Sequence, residues 1–429
     1  MDRPGERIAR TPGGAEIRRG PTGDVHEVVS RGMSIRHAPE GVRVVTVVRP
    51  DHSIIVTNRA GHGYIDRPFE YRNAPLIRRT YYVNGAPYGR IYRPYEYRGV
   101  PLVVYVPSRY YAPAFYGWAY TPWGAPVRYS WGWAGRPWYG YYSGYFAPYP
   151  VYPSASFWLT DYVIASTLES AYQERLDAER NMQANEFGNA PLTPDAKQAV
   201  ADEVRRQLAL ESAENRGGLE TPPDPATSGI ARMLTDNTSH TFVVARPLVV
   251  RGNAGECQLT EGDVIQLAGQ TAYDATSANV VVLSGKAADC RRGSAVAIPF
   301  ADLQDMQNHM RETIDRGLAE LQSKQGAGGL PPAPLPAMAA PITPDFVTNA
   351  PPVDANGNAA LLQQAQAADS TERDVLSQAP KMITLGQTIE SVVNTLGTPK
   401  NIVDLGDKKI YVYANLKITF IGGKVADVQ

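Results

Sequence analysis

Two glutamates, Glu70 and Glu96, stand at equivalent places in a repeated motif, Arg67-Pro-Phe-Glu-Tyr-Arg72 and Arg93-Pro-Tyr-Glu-Tyr-Arg98. A carboxylate pair beside aromatic rings is what glycoside hydrolysis uses, one to protonate the leaving oxygen and one to act on the opposite face of the sugar. Each glutamate here lies between arginines, so an ion pair with a neighbour is the stronger expectation. Cys257 and Cys290 are the only cysteines. A disulfide closing the loop between them is the favoured reading, implying an oxidising compartment, against two unrelated thiols. The six histidines are scattered. His62, in Gly61-His62-Gly63, suits a hairpin tip, and His309 sits between a Gln/Asn-rich face and a Met stripe. No H-E-x-x-H, P-loop, G-x-S-x-G or C-x-x-C pattern occurs, so no metal, nucleotide or activated-serine template is met and no cofactor is expected. The chain reads as a binding protein, with the carboxylate-pair enzyme as the alternative.

Binding chemistry concentrates in residues 105–158, which hold all six tryptophans and 21 aromatics in 54 residues, among 8 prolines and 6 glycines. Tyr116, Trp118, Trp123, Trp131, Trp133 and Trp138, with Arg128 and Arg136, are the candidate binding residues. Rings stack on sugars or partners, and a guanidinium both stacks on rings and forks onto carboxylate or phosphate. Three readings stay open: an irregular core covering the preceding strands, an exposed platform, or a self-associating tract.

Charge sharpens the question. The 429 residues carry a net −1, but residues 1–150 hold 20 Arg against 10 acidic residues, while 151–429 hold 22 basic against 33 acidic; the first lysine is Lys197. An arginine-only, ring-rich half suits an anionic envelope polymer or a protein partner; the blander readings are a coding bias and arginine stems packed on the chain's own rings. Nucleic acid is not expected, since no RNA-recognition or zinc signature accompanies the rings. No apolar run reaches the roughly 18 residues of a spanning helix.

The elements that must position these residues make a multi-domain, β-rich α+β chain. Residues 1–112 read as an antiparallel β-meander, with short β-branched and aromatic runs at 15–18, 24–29, 34–37, 42–48, 53–58, 63–65, 79–83, 89–92 and 102–106, and a duplicated hairpin at the 26-residue echo. The Gly/Pro/Tyr/Trp segment 113–155 follows, with no sustained helix expected and its glycines giving rings room. Amphipathic helices are expected over 156–214, a linker over 215–235, a small SH3-like β-barrel over 236–300 and a helix over 301–325 on the stripe Leu303, Met306, Met310, Ile314, Gly317 and Leu321. A disordered Pro/Ala/Gly linker over 326–358, a helix over 359–380 and a small α+β module over 381–429 complete the series.

That last module begins Leu385-Gly-Gln-Thr-Ile-Glu-Ser-Val-Val-Asn-Thr-Leu-Gly-Thr-Pro399, where Thr388 can cap a short helix and Gly397 end it. Strands at 401–405, 409–413, 416–421 and 424–428 follow. This tail, about a ninth of the chain, resembles the module of the SmpA/OmlA-type outer-membrane-assembly lipoproteins. The resemblance implies an extracytoplasmic protein-interaction domain without catalytic residues. No lipid-accepting cysteine lies near the start, so anchoring is not carried over. The ring-rich middle with this tail is also similar to bacterial envelope proteins, which implies a periplasmic, outer-membrane-associated or secreted location. No secretory signal opens the chain, which reads as a mature form or an internal start.

Overall fold

The computed structural model describes residues 7–20, 23–37, 43–83, 85–177, 191–252, 255–269, 271–286, 290–379, 383, 386–414 and 416–429. Residues 178–190, inside the span expected to be helical, and Val42, Leu385 and Asn415, read above as strand or module residues, lie outside these. The chain forms two compact units, residues 1–31 with 370–429 and residues 32–369.

The smaller unit begins with three antiparallel strands, β1 (Arg7–Arg10), β2 (Glu16–Arg19) and β3 (Val25–Ser30). In the larger unit the meander continues in sequence order as β4 (Met33–His37), β5 (Arg43–Val48), β6 (Ile54–Thr57), β7 (Gly63–Tyr71), β8 (Ala74–Val83), β9 (Ala86–Tyr97) and β10 (Val100–Val106). Strands β7 and β9 are longer than the sequence reading, because both copies of the Arg-Pro-(Phe/Tyr)-Glu-Tyr echo are themselves strand. Each copy ends in a two-residue turn with left-handed backbone, Arg72 and Asn73 (φ 49° and 61°) and Arg98 and Gly99 (φ 51° and 75°). Both turns carry the twist that a right-handed hairpin favours.

The aromatic segment contains two short helices, α1 (Pro113–Tyr120) and α2 (Pro137–Tyr142), each opened by proline at its first turn. Two long helices follow, α3 (Ala155–Asp177) and α4 (Pro194–Arg216), the latter capped by Thr193, whose Oγ1 accepts from Ala196 N. The expected 215–235 linker instead contains α5 (Pro225–Ser228) and α6 (Ile230–Met233), with Ile230 and Met233 buried.

Residues 241–299 form an open six-stranded antiparallel sheet, which corrects the small SH3-like barrel. Its strands are β11 (Thr241–Val243), β12 (Leu248–Gly252), β13 (Gly255–Leu259), β14 (Val264–Leu267), β15 (Ser277–Ser284) and β16 (Ala295–Pro299). They lie in the order β11-β14-β15-β16-β12-β13, which leaves β11 and β13 at opposite edges. Short strands of the right number do not specify closure; a long-range pairing between the outer two would be needed. Cys257 on β13 is bonded to Cys290, with Cα atoms 5.2 Å apart across 33 residues. Loop closure on that scale is worth about 3–4 kcal/mol. Reduction should therefore lower the thermal midpoint, and alkylation without reductant should label no thiol.

Helix α7 (Phe300–Lys324) buries its predicted stripe and crosses α3 at Gly317, where a Cβ would come within 2.5 Å of Leu159. The 326–358 segment, expected to be a disordered linker, packs as well. Leu330, Ala333 and Ala337 join the main core, Phe346 of α8 (Asp345–Thr348) packs with Leu76, Ile91 and Tyr110, and Tyr110 exchanges two backbone bonds with Ile342. Helix α9 (Gly357–Ser377) sets Leu361 against Ile55 and Ile65.

The chain closes in the smaller unit with α10 (Ile389–Leu396), capped by Thr388 and ended by Gly397 at φ 84°. A four-stranded antiparallel sheet follows: β17 (Asn401–Leu405), β18 (Lys408–Val412), β19 (Lys417–Ile421) and β20 (Lys424–Val428). Val392 of α10 packs on Ile418, Phe420 and Val425.

Candidate binding surface

Most rings of residues 105–158 are core. Tyr116, Trp118 and Trp138 of the candidate set are buried, so these three do not face a ligand; Trp123, Trp131 and Trp133 are half-buried, and Arg128 and Arg136 are exposed. The reason is α3. Its Trp158 and Tyr162, one turn apart, stack at 5.3 Å between centroids; Trp131 stacks on Trp158 at 4.6 Å and Trp133 on Trp131 at 4.1 Å. One column of four rings thus runs from Tyr162 through the fully buried Trp158 and then Trp131 to the half-exposed Trp133. Trp138 meets Trp133 edge-on at 5.5 Å.

Polar anchoring fixes the column. Trp131 Nε1 donates to Tyr152 Oη at 2.6 Å, Tyr152 donates to Asp161 Oδ2 at 2.7 Å, and Lys197 Nζ lies 2.6 Å from Asp161 Oδ1. Burial pushes the Asp161 carboxyl up and the Lys197 ammonium down, each against the pull of the other. The loop before Trp131 is held by Trp123 N to Pro153 O at 2.7 Å and by paired backbone bonds between Val127 and Tyr152.

The Tyr152–Asp161 device recurs. Tyr116 donates to Glu211 at 2.6 Å, Tyr142 to Glu261 at 2.7 Å and Tyr105 to Asp315 at 2.8 Å. All four carboxylates are buried, and each comes from the acidic part of the chain. A buried carboxylate needs donors, and a buried phenol needs an acceptor, so each satisfies the other. Arginines of the basic part are also partly internal: Arg79 pairs with Asp66 at 2.7 Å and lies 3.8 Å from the Tyr64 ring centre, while Arg67 reaches Asp354 at 2.7 Å.

Arg128 and Arg136 differ. Among the described residues neither makes an ion pair or a side-chain hydrogen bond, and they flank the outer end of the ring column in sequence. The glycines between the rings, Gly117, Gly124, Gly132, Gly135 and Gly140, are not held there by crowding: an added Cβ would meet nothing within 4 Å, and none has left-handed backbone. The expectation that they give rings room inside a packed segment is therefore not met.

Glu70 and Glu96 are exposed, opposite Pro75 and Pro101 on neighbouring strands. Among the described residues neither pairs with an arginine. Arg72 lies 3.6 Å from Glu220, Arg93 donates to the carbonyls of Pro222 and Pro223, and Arg98 donates to that of Ala272. In a strand the flanking arginines reach over neighbouring elements instead of back to the glutamate. Near the hairpin ends an apolar groove of about 470 Å³ is lined by Pro75, Pro94, Tyr95, Pro101, Leu102 and Gln304. His62 lies at the tip between β6 and β7, its Nδ1 2.5 Å from Asp177, and the His309 ring meets Thr167 Oγ1 at 3.0 Å. Burial, then the Arg316 charge, drives His309 down to about 4.

A constellation that sequence reading missed joins His240 to two carboxylates, Glu203 at 3.0 Å and Asp236 at 2.9 Å. Burial pulls its pKa down, but both acids outweigh that and hold it above the ordinary value. Glu211 is pushed up to about 8 by burial and then by the Asp315 charge. Each folded value is raised, so each contribution is complete below the unfolded value and fades as pH rises through the folded one, for Glu211 between about 4.5 and about 8. Chemical denaturation at about pH 6 and about pH 9 should find the weaker fold at the higher pH. Glu211→Gln and His240→Gln should flatten that slope; a midpoint rising over the interval would contradict the assignment. No family model matches the chain, and no curated protein or solved structure matches it.

Proposed function

We propose that this chain is a non-enzymatic, extracytoplasmic binding or scaffold protein of the bacterial cell envelope, and that the Arg128–Trp133–Arg136 surface takes an anionic envelope polymer. The observation that carries this reading is a pair of exposed guanidiniums, without an ion pair or side-chain hydrogen bond among the described residues, that flank in sequence the half-buried Trp131 and Trp133 of the ring column. From Tyr97 to Thr160 the sequence contains no carboxylate, so no neighbouring residue of that stretch competes for them. Rings fixed by packing bind at little entropic cost, and guanidiniums supply the charge that recognises carboxylate or phosphate. The disulfide and the resemblance of the tail to the SmpA/OmlA-type module support the compartment.

The test is retention of the full chain on lipopolysaccharide and on cell-wall fractions at low and high salt. Replacing Arg128 and Arg136 together by alanine should weaken retention by about tenfold or more, with an unchanged thermal midpoint because both side chains are exposed. Equal retention of the double variant, or retention insensitive to salt, would remove this surface as the site.

A further inference from the structure

The two edges of the C-terminal sheet are treated differently. Beside β20, Val425 N donates to Gln387 O at 2.8 Å, Gly386 N to Val425 O at 2.7 Å and Ile389 N to Gly423 O at 3.2 Å, so that edge is closed by the chain itself. Among the described residues no strand pairs with the outer side of β17, and all five of its residues are exposed. An open edge is ordinarily blunted by proline, lysine or a bulge. Asn401-Ile402-Val403-Asp404-Leu405 has no proline or lysine, and the register shift in this sheet falls at Thr419/Phe420, away from it.

Among the described residues one face of the sheet is also without a helix. Residues paired across strands share a face, which sets Ile418, Phe420, Tyr411 and Val425 toward α10. The opposite face carries Val403 opposite Ile410 and Leu405 opposite Lys408, continuing to Ile421 and Lys424. Val403 is 40% exposed, Leu405 62% and Ile421 56%. Lys408, Lys417 and Lys424 are exposed on that same face, against one acid, Asp427. A second copy laid on it would set lysines against lysines, which opposes self-association and favours a partner of opposite charge.

We infer that β17 is a docking edge for an extended segment of another protein in which acidic residues alternate with apolar ones. Such a segment adds a fifth strand through main-chain bonds to β17. One set of its side chains then lies flush with Val403 and Leu405, and carboxylates placed there reach across β17 toward Lys408, two strand spacings or about 10 Å away.

The experiment uses the full chain and three short synthetic peptides: one alternating valine and glutamate, one with lysine for glutamate, and one with a central proline in the glutamate sequence. The glutamate peptide should bind at low salt at least about tenfold more tightly than either control and should slow amide hydrogen exchange within 401–405. Val403→Glu with Leu405→Glu sets carboxylates against those of the peptide and should reduce its binding by a similar factor, while an unchanged circular dichroism spectrum and thermal midpoint show that the tail still folds. Absence of binding, equal binding of the lysine peptide, or binding without protection of 401–405 would overturn the inference. So would sedimentation showing that the chain dimerises through β17, which would assign the edge to a second copy.

Discussion

Truncating Trp158 to alanine should lower the stability of the larger unit by about 3–5 kcal/mol, the range for losing a fully buried large aromatic. Trp158 has no exposed surface, stacks on Trp131 and Tyr162 and takes the edge of Tyr129 at 5.6 Å. Among the described residues its Nε1 has no hydrogen-bond partner, so its contribution is packing. The neighbours are themselves rigid rings, which cannot collapse into the space left behind, and that places the cost toward the upper end. Urea denaturation measures it, and near-ultraviolet circular dichroism should lose the coupled tryptophan signal. Because Trp131 rests on this ring and Trp133 on Trp131, the same variant should weaken polymer retention more than its residual folded fraction accounts for. A loss below about 1 kcal/mol would mean that the column is not an organising element.

Asp161→Ala should be comparably severe, about 3–5 kcal/mol, since removing one member of a buried pair strands the other charge. Lys197 would keep its 2.8 Å bond to Ala147 O and its place over the Tyr149 and Phe146 rings, while Tyr152 Oη and Tyr149 N would each lose an acceptor. Pairing Asp161→Leu with Lys197→Met should recover most of the loss, because an apolar pair does not carry the desolvation cost. The coupling in that double-mutant cycle should amount to at least about 2 kcal/mol. Additive single effects would show that the two side chains act independently and that the network does not hold the rings.

Polarity decided between the readings of the charge asymmetry. An arginine-rich, ring-rich part suits an anionic partner, or arginine stems packed on the chain's own rings, as Arg79 is over Tyr64. In the structure much of that charge is spent inside one unit, on Tyr–carboxylate and Arg–carboxylate contacts such as Tyr105–Asp315 and Arg67–Asp354, separated by 210 and 287 residues. The Pro/Ala stretch at 326–358 was misread for a related reason. Its prolines, alanines and glycines outnumber its large apolar residues, yet Leu330, Ala333 and Ala337 are buried in the main core and Phe346 in a second one.

By itself the sequence determined what neighbours decide: the short strand runs of the meander, the helical stripe of 301–325, the Thr388 cap, the Gly397 stop and the identity of the only two cysteines. Each depends on residues within a turn or two, whose conformational preferences do not await the rest of the chain. Only the tertiary structure decided that the six-stranded sheet stays open, that Tyr116, Trp118 and Trp138 are core while Arg128 and Arg136 stay exposed, and that His240 sits between two acids. Those outcomes turn on which groups distant in sequence must satisfy one another once water is removed, a condition that composition and spacing do not encode.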